Sequence, residues 1–223
     1  AHMGVHWFRI RVAGEPAHAS GGGTTINPID KAIPLLQALR NLEEELNSAP
    51  APPPFDQLEH PENFNFGTIH AGDWPSNVPA ECAIEVRAAF FPGEAPEEAE
   101  ARIIECIRAA SERDTWLSKN PPVVEFHGMR AEGVTTSPSN ELIETLGVAH
   151  RAVTGNDLRT RVSTATSDLR FFLLEGIPAT CYGPTGGNAH APNEFVDLES
   201  LKDVTRVAAE LIVRWCGTGN LED

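Results

Sequence analysis

Residues 64–91 read FNFGTIHAGDWPSNVPAECAIEVRAAFF. Phe64 to Ala71 and Ala80 to Phe91 are rich in the β-branched and aromatic residues that strands favour. Gly72-Asp73-Trp74-Pro75 between them is a turn signal, and Pro92-Gly93 closes the second run. Two strands joined in this way form a hairpin, and the fold follows from what flanks it.

A helix lies on either side. Upstream, Asn27 can cap a helix and Pro28 suits its first position. Ile29, Ala32, Leu36, Leu39, Leu42 and Leu46 follow at helical spacing, which predicts one apolar stripe. Pro34 predicts a kink or a shifted start. The Pro-rich stretch Ala49 to Pro54 connects this helix to the hairpin. Downstream, Ala95 to Arg113 places Ala99, Ile103, Ile107 and Ala110 on one face, with Glu97, Glu98 and Glu100 at the end where the helix dipole favours them. His6 to Val12 alternates as a strand, and Pro122 to His127 predicts a last short strand. The order strand, helix, strand, strand, helix, strand is that of a ferredoxin-like sandwich, expected over residues 5–130.

Residues 131–223 have another rhythm. Ser139 to Thr154 is helical, with Gly155 as its stop. Arg161 to Ala165 is a candidate strand, Asp168 to Leu174 a short helix, and Ile177 to Tyr182 a candidate buried strand. Gly183 to Asn193 is a glycine-rich loop. Leu198 to Cys216 is a helix capped by Asp197 and stopped by Gly217, with Leu201, Val204, Ala208, Leu211 and Trp215 as its stripe. Strands alternating with helices predict part of an α/β layer.

The chain carries 17 Lys and Arg against 32 Asp and Glu, a net charge of -15. That excess repels a polyanion, so no nucleic acid partner is expected. The acidic runs, Glu43 to Glu45 among them, read as solvated faces. No apolar run approaches the roughly 20 residues that span a bilayer, and no charged-then-apolar leader is visible. Cys82, Cys106, Cys181 and Cys216 are widely spaced, which fits reduced thiols in a cytoplasmic protein better than a disulfide framework or a zinc knuckle. Ala1-His2-Met3 reads equally as a cloning scar or as native sequence.

Four segments can carry chemistry. The loop Gly183 to Glu194 follows a candidate strand, and its His190 can offer a neutral imidazole to zinc, with Glu194 to orient it. Gly14 to Gly21 holds His18, which can donate to a developing oxyanion. Asn77, before the second hairpin strand, and Arg87 upon that strand can bind a carboxylate. Ser163 to Arg170 is a polar run entering a helix, where Ser167 can serve as a cap. Each of these histidines, taken alone, is more often structural than functional.

Their order and spacing resemble the metallopeptidase family that includes acetylornithine deacetylase, succinyl-diaminopimelate desuccinylase, aminoacylase and carboxypeptidase G. The likeness rests on Gly14 to Ala19, Asn77-Val78-Pro79, Pro92-Gly93-Glu94, Thr166 to Phe171, Gly176-Ile177-Pro178, and Gly183-Pro184 followed by His190 to Glu194. It extends over nearly the whole chain. It implies a ferredoxin-like dimerisation (lid) domain at 5–130 and the C-terminal portion of an α/β zinc-hydrolase domain at 131–223. It implies that His190 is a metal ligand and that His18 steadies the tetrahedral intermediate in the partner subunit's site. Asn77 would contact substrate, and Thr166 would line the pocket. Two zinc ions per complete site are implied, with cobalt or manganese as alternatives, in a homodimer acting on N-acyl amino acids or short peptides.

Two departures stand out. Where many relatives have an arginine, three residues before the Pro-Gly turn, this chain has Ala89; Arg87 shares its face and can substitute. The family's His-x-Asp segment, bridging aspartate and Glu-Glu pair are not found, and Glu44 and Glu45 do not fit them. That half is expected before residue 1, leaving this chain inactive by itself. The competing reading is a non-catalytic dimerisation or ligand-binding module. A serine hydrolase is set aside because no Gly-x-Ser-x-Gly elbow occurs.

Overall fold

The computed structural model describes residues 1–21 and 23–218; residues 219–223 of the expected second domain lie outside the described residues. The chain divides into two compact units. The first is Ala1–Val134 with Val162–Thr166, and the second is Thr135–Arg161 with Ser167–Asp223.

The first unit contains β1 (Gly4–Ala13), β2 (Ala17–His18), α1 (Pro28–Leu46), β3 (Phe64–Ala71), β4 (Asn77–Val78), β5 (Glu81–Phe90), α2 (Pro96–Ser111) and β6 (Val123–Ala131). The long strands form one sheet in the order β3-β5-β1-β6, every neighbouring pair antiparallel. This is the β-α-β-β-α-β sandwich that the sequence predicts. The last strand runs four residues beyond the expected His127.

Alternation decides which face meets the helices. Phe8, Ile10 and Val12 of β1 lie opposite Val86, Ile84 and Cys82 of β5, all buried. Ile103 and Ile107 of α2 and Leu35 and Leu39 of α1 close over them. Trp7, Arg9 and Arg11 fall on the other face, where Arg9 pairs with Glu85 and Arg11 with Glu125.

Helix α1 settles where it starts and corrects its expected stripe. It starts at Pro28, capped by the Asn27 side chain, and continues through Pro34 without a shifted start. Its buried face is centred on Ala32, Leu35, Leu39 and Glu43, while Ile29 is exposed and Leu36, Leu42 and Leu46 only flank the core. Glu43 is therefore no solvated surface acid. Its carboxylate accepts from Phe64 N–H (2.9 Å) and Arg40 Nη1 (2.5 Å) and lies 3.1 Å from His60 Nε2. Burial opposes its ionisation, but these bonds win and hold its pKa below the ordinary value. Glu62 is also buried, and there burial wins, against the pull of Arg102, and pushes the carboxyl up to about 7.

The first unit also takes in a short stretch from far along the chain. His2 bridges to Val134 and to Ser163, the Met3 N–H donates to Ser163 O (3.2 Å), and Thr166 Oγ1 donates to Met3 O (3.0 Å). His2 and Met3 are buried. The expected strand at Arg161 to Ala165 is reduced to this single bridge at Ser163.

The second unit contains α3 (Glu141–Thr154), α4 (Leu169–Leu174), β7 (Gly186–Gly187), β8 (Phe195–Val196) and α5 (Leu198–Cys216). Asn140 caps α3, Asp197 caps α5, and Gly155 and Gly217 end them, as the sequence predicts. Leu146 and Ala149 of α3 pack on Val207 of α5. Of the expected α5 stripe, Leu211 packs partly buried against this cluster and Val204 is half-buried, while Leu201 and Trp215 are exposed, with Leu198 and Ile212 beside them. Ile177 to Tyr182 is not a buried strand; it joins no ladder, and Ile177 is exposed. A strand needs partners for its backbone groups, and among the described residues none lies beside it.

Among the described residues, no helix is long and apolar enough to cross a membrane. The four cysteines are free: Cys82 is buried, Cys106 half-buried, and Cys181 and Cys216 exposed.

Candidate functional site

His18 and Asn77 come together on a ribbon that the sequence did not announce. Strands β2 and β4 pair antiparallel, with His18 directly opposite Asn77 and Ala17 opposite Val78. Backbone bonds from Gly14 N–H to Ala80 O (2.8 Å), Glu15 N–H to Ile26 O (2.8 Å) and Ala19 N–H to Ser76 O (2.7 Å) fasten the loop on both sides. Gly14 is required here, because a Cβ would lie 2.4 Å from the Pro28 ring and 2.8 Å from Ile26 O. Trp116 Nε1 braces the end of β1 by donating to Ala13 O (3.2 Å). An open groove of about 400 Å³ lies beside the ribbon, lined by Pro16, Ala17, Asp73, Asn77 and Pro79.

The His18 ring is exposed, but one of its nitrogens is engaged. Ser20 N–H donates to Nδ1 at 3.1 Å, and Ser20 Oγ lies 2.8 Å from the same atom. Nε2 is thus the nitrogen left to face a ligand.

Arg87 occupies a different station. It projects from β5 six residues beyond Glu81, roughly 20 Å along a strand. Its Nη1 donates to Asn63 Oδ1 and its Nη2 to Thr164 O, both at 2.6 Å. Thr166 lies on the same short segment as Thr164, its hydroxyl given to Met3 O. Arg9, Arg11, Arg40, Arg102 and Arg170 each have a carboxylate partner, and Arg87 is the one arginine among the described residues that is not exposed and has none. Burial lowers its pKa from the ordinary value, since both bonded partners are neutral. A desolvated guanidinium held by neutral acceptors attracts a carboxylate.

His190 belongs to the second unit. It lies in the loop between β7 and β8, exposed, with a left-handed backbone at φ 61°; Asn188 and Asn193 share that conformation at φ 59° and 62°. Three such non-glycine residues within six positions store backbone strain of a kind that gathers at functional sites. Ala191 N–H to Asn188 O (2.8 Å) and Asn188 Nδ2 to Asn193 O (3.2 Å) hold the loop closed. Gly186 lets the ribbon close beneath it, since a Cβ there would meet Phe195 O at 2.4 Å. Among the described residues, no three His, Cys, Asp or Glu side chains gather to hold a metal ion. His190 therefore offers one ligand and, among the described residues, does not form a centre.

The structure thus joins His18 to Asn77 and Arg87 to the Thr164–Thr166 segment, at well-separated stations of the first unit. Sequence reasoning passed over Asn63 and gave no role to Ser20 and Thr164, though both lie within its candidate segments. Ser20 alone had a local signal, a hydroxyl residue two positions after a histidine.

A family model described as a peptidase dimerisation domain matches residues 1–115. The chain is 27% identical over 208 residues to N-formyl-4-amino-5-aminomethyl-2-methylpyrimidine deformylase of Bacillus subtilis, covering 89% of this chain and 48% of that protein. It is 27% identical over 206 residues to succinyl-diaminopimelate desuccinylase of Thioalkalivibrio sulfidiphilus, covering 92% and 50%. The chain spans about half the length of the curated relatives it matches. Among solved structures, the di-peptidase Dug1p of Saccharomyces cerevisiae superposes with a TM-score of 0.73 at 15% identity, covering 98% of this chain and 56% of that one. At that identity the likeness speaks for the fold alone.

Proposed function

The chain belongs to the peptidase dimerisation-domain family, among metal-dependent hydrolases such as succinyl-diaminopimelate desuccinylase and acetylornithine deacetylase; from that premise we propose that it serves to hydrolyse the amide bond of N-acyl amino acids or short peptides. The observation that carries this reading is the separation of the two stations. His18 and Asn77 lie roughly 20 Å or more along the sheet from Arg87 and Thr166. Groups so far apart cannot grip one small amide in a single protomer. In a two-fold dimer, each protomer can lend His18 and Asn77 to its partner while Arg87 and Thr166 serve at home.

In this reading Arg87 takes a substrate carboxylate, Thr166 lines the pocket, Asn77 contacts the acyl side, and His18 donates to the developing oxyanion. His190 is one zinc ligand, with cobalt or manganese as substitutes. A bound zinc would supply Lewis acidity and a water of lowered pKa. Among the described residues no ligand set joins His190, so in this reading the remaining ligands and the general base belong to the rest of the whole enzyme and the chain alone hydrolyses nothing. The four thiols are free, as suits a cytoplasmic enzyme.

The homodimer forms along β3. One sheet edge, β6, is guarded by charge: Glu125 with Arg11, His127 with Glu85, and Arg130 with Glu97 and Glu100. The other edge, β3, presents Gly67, Thr68, Ile69 and His70 without a carboxylate or a lysine, and Ile69 is exposed.

Complementation tests the shared site. In the whole enzyme, His18→Ala and His190→Ala should each be inactive, and mixing them should restore about a quarter of the activity through heterodimers with one intact site. No recovery from exchanging subunits would overturn the reading. So would zinc-dependent turnover by the isolated 223-residue chain. A module that only pairs subunits would instead dimerise without metal and leave every amide untouched, with or without His190.

A further inference from the structure

We propose that Ser20 is the positioning residue of His18, fixing the imidazole as the tautomer with its proton on Nε2. This rests on the oxyanion role given to His18 above. The argument needs only donor and acceptor chemistry. A backbone N–H can donate and cannot accept, so the Ser20 N–H at 3.1 Å requires a lone pair on Nδ1. The Ser20 hydroxyl, 2.8 Å from the same nitrogen, must then donate to it as well. With Nδ1 acting as an acceptor, the neutral ring carries its proton on Nε2.

That arrangement suits an oxyanion donor, which must present an N–H and not a lone pair. An unconstrained imidazole exchanges between two tautomers, and only one of them can donate from Nε2. The mount completes the device. The ribbon register opposite Asn77 and the Ala19 N–H to Ser76 O bond fix the backbone, and Ser20 fixes the ring. Serine two positions after the histidine, in the short 3-10 turn Ala19–Gly21, places both donors on one nitrogen.

The first test is a long-range proton–nitrogen NMR correlation on the 223-residue chain, at a pH where imidazole is neutral, with His18 identified by its loss in His18→Ala. The expected result is a protonated Nε2 and an unprotonated Nδ1; the opposite pattern, or a mixture, overturns the proposal. Ser20→Ala, which keeps the backbone donor, should move His18 toward a mixture. Ser20→Asp, which offers an acceptor to Nδ1, should move the proton to Nδ1. Identical spectra in all three proteins would also overturn the proposal.

In the whole enzyme, Ser20→Ala should lower kcat about tenfold with KM within about twofold, the signature of a group that acts in the transition state. Ser20→Thr, which keeps the hydroxyl, should restore most of the rate. Equal losses in the two variants, or a change confined to KM, would refute the positioning role. If His18→Ala itself left kcat unchanged, the oxyanion reading would fail, while the tautomer measured in the isolated chain would still stand or fall by itself.

Discussion

The two units of this chain use similar helices to different effect. In the first, α1 and α2 close over a four-stranded sheet and build a continuous cluster of fourteen buried residues. In the second, α3 and α5 meet through three buried residues, Leu146, Ala149 and Val207, and leave Leu198, Leu201, Ile212 and Trp215 exposed. Both helix pairs are amphipathic, and α1, α3 and α5 each start under a side-chain cap. What differs is the sheet: a helix stripe is buried only as far as there is a surface to receive it. Stability in this chain should therefore be unevenly distributed.

The sharpest way to break the comparison is to cut the larger core. Leu35→Ala should cost about 2–5 kcal/mol, read as a drop in urea midpoint followed by signals of the first unit. Val207→Ala should instead speed amide exchange in α3 and α5 and leave protection in β1 and β5 unchanged. A single cooperative transition, shifted equally by both substitutions, would erase the distinction.

Next come the buried carboxylates. Glu43→Ala should cost about 2–3 kcal/mol near neutral pH, since it strands three donors. The folded pKa of Glu43 lies below its unfolded value of 4.5, so its contribution is present above about pH 4.5 and lost as pH falls through the depressed value. Glu62 has the opposite sign. Its folded pKa is raised to about 7, so its favourable contribution is present below 4.5 and fades as pH rises through 7. Glu62→Gln should therefore stabilise the chain at pH 8, by on the order of 1–3 kcal/mol, and do little at pH 5; equal effects at both would refute the assignment.

At the proposed interface, Ile69→Lys should leave the first unit folded and convert the proposed dimer to a monomer by sedimentation. Smallest of all, Leu201→Ser should change the stability of the chain by no more than about 0.5 kcal/mol, because the residue is already exposed. A large loss there would mean that α5 is covered in solution.

The same contrast explains what could be read in advance. Alternation in β1 and β5 and the Ala99, Ile103, Ile107 spacing of α2 each report a face that truly is buried, so the sandwich was legible. In α1 two apolar stripes overlap, and the choice between them turns on Glu43. A carboxylate reads as polar in any pattern, and its burial depends on Phe64 N–H, Arg40 and His60, which tertiary structure brings to it. Ile177 to Tyr182 has a strand's composition, but a ladder depends on a neighbour as much as on the segment itself. The candidate residues were proposed by motif, while their grouping was not legible. The pairing of His18 with Asn77 hangs on a ribbon two residues wide, and the hold of Arg87 on Thr164 joins positions 77 residues apart.

The stretch Val162–Thr166 bears on how this protein can be taken apart. Met3 and Arg87 are both served by it, although Thr135–Arg161 intervenes in the chain. The first unit is therefore not a contiguous cassette. A gene segment ending at Val134 would encode the sandwich yet leave the Met3 amide without its acceptor and the half-buried Arg87 with Asn63 as the one acceptor it keeps. Recombination, whether by evolution or at the bench, moves this domain intact only if it carries a peptide from beyond the domain's apparent end.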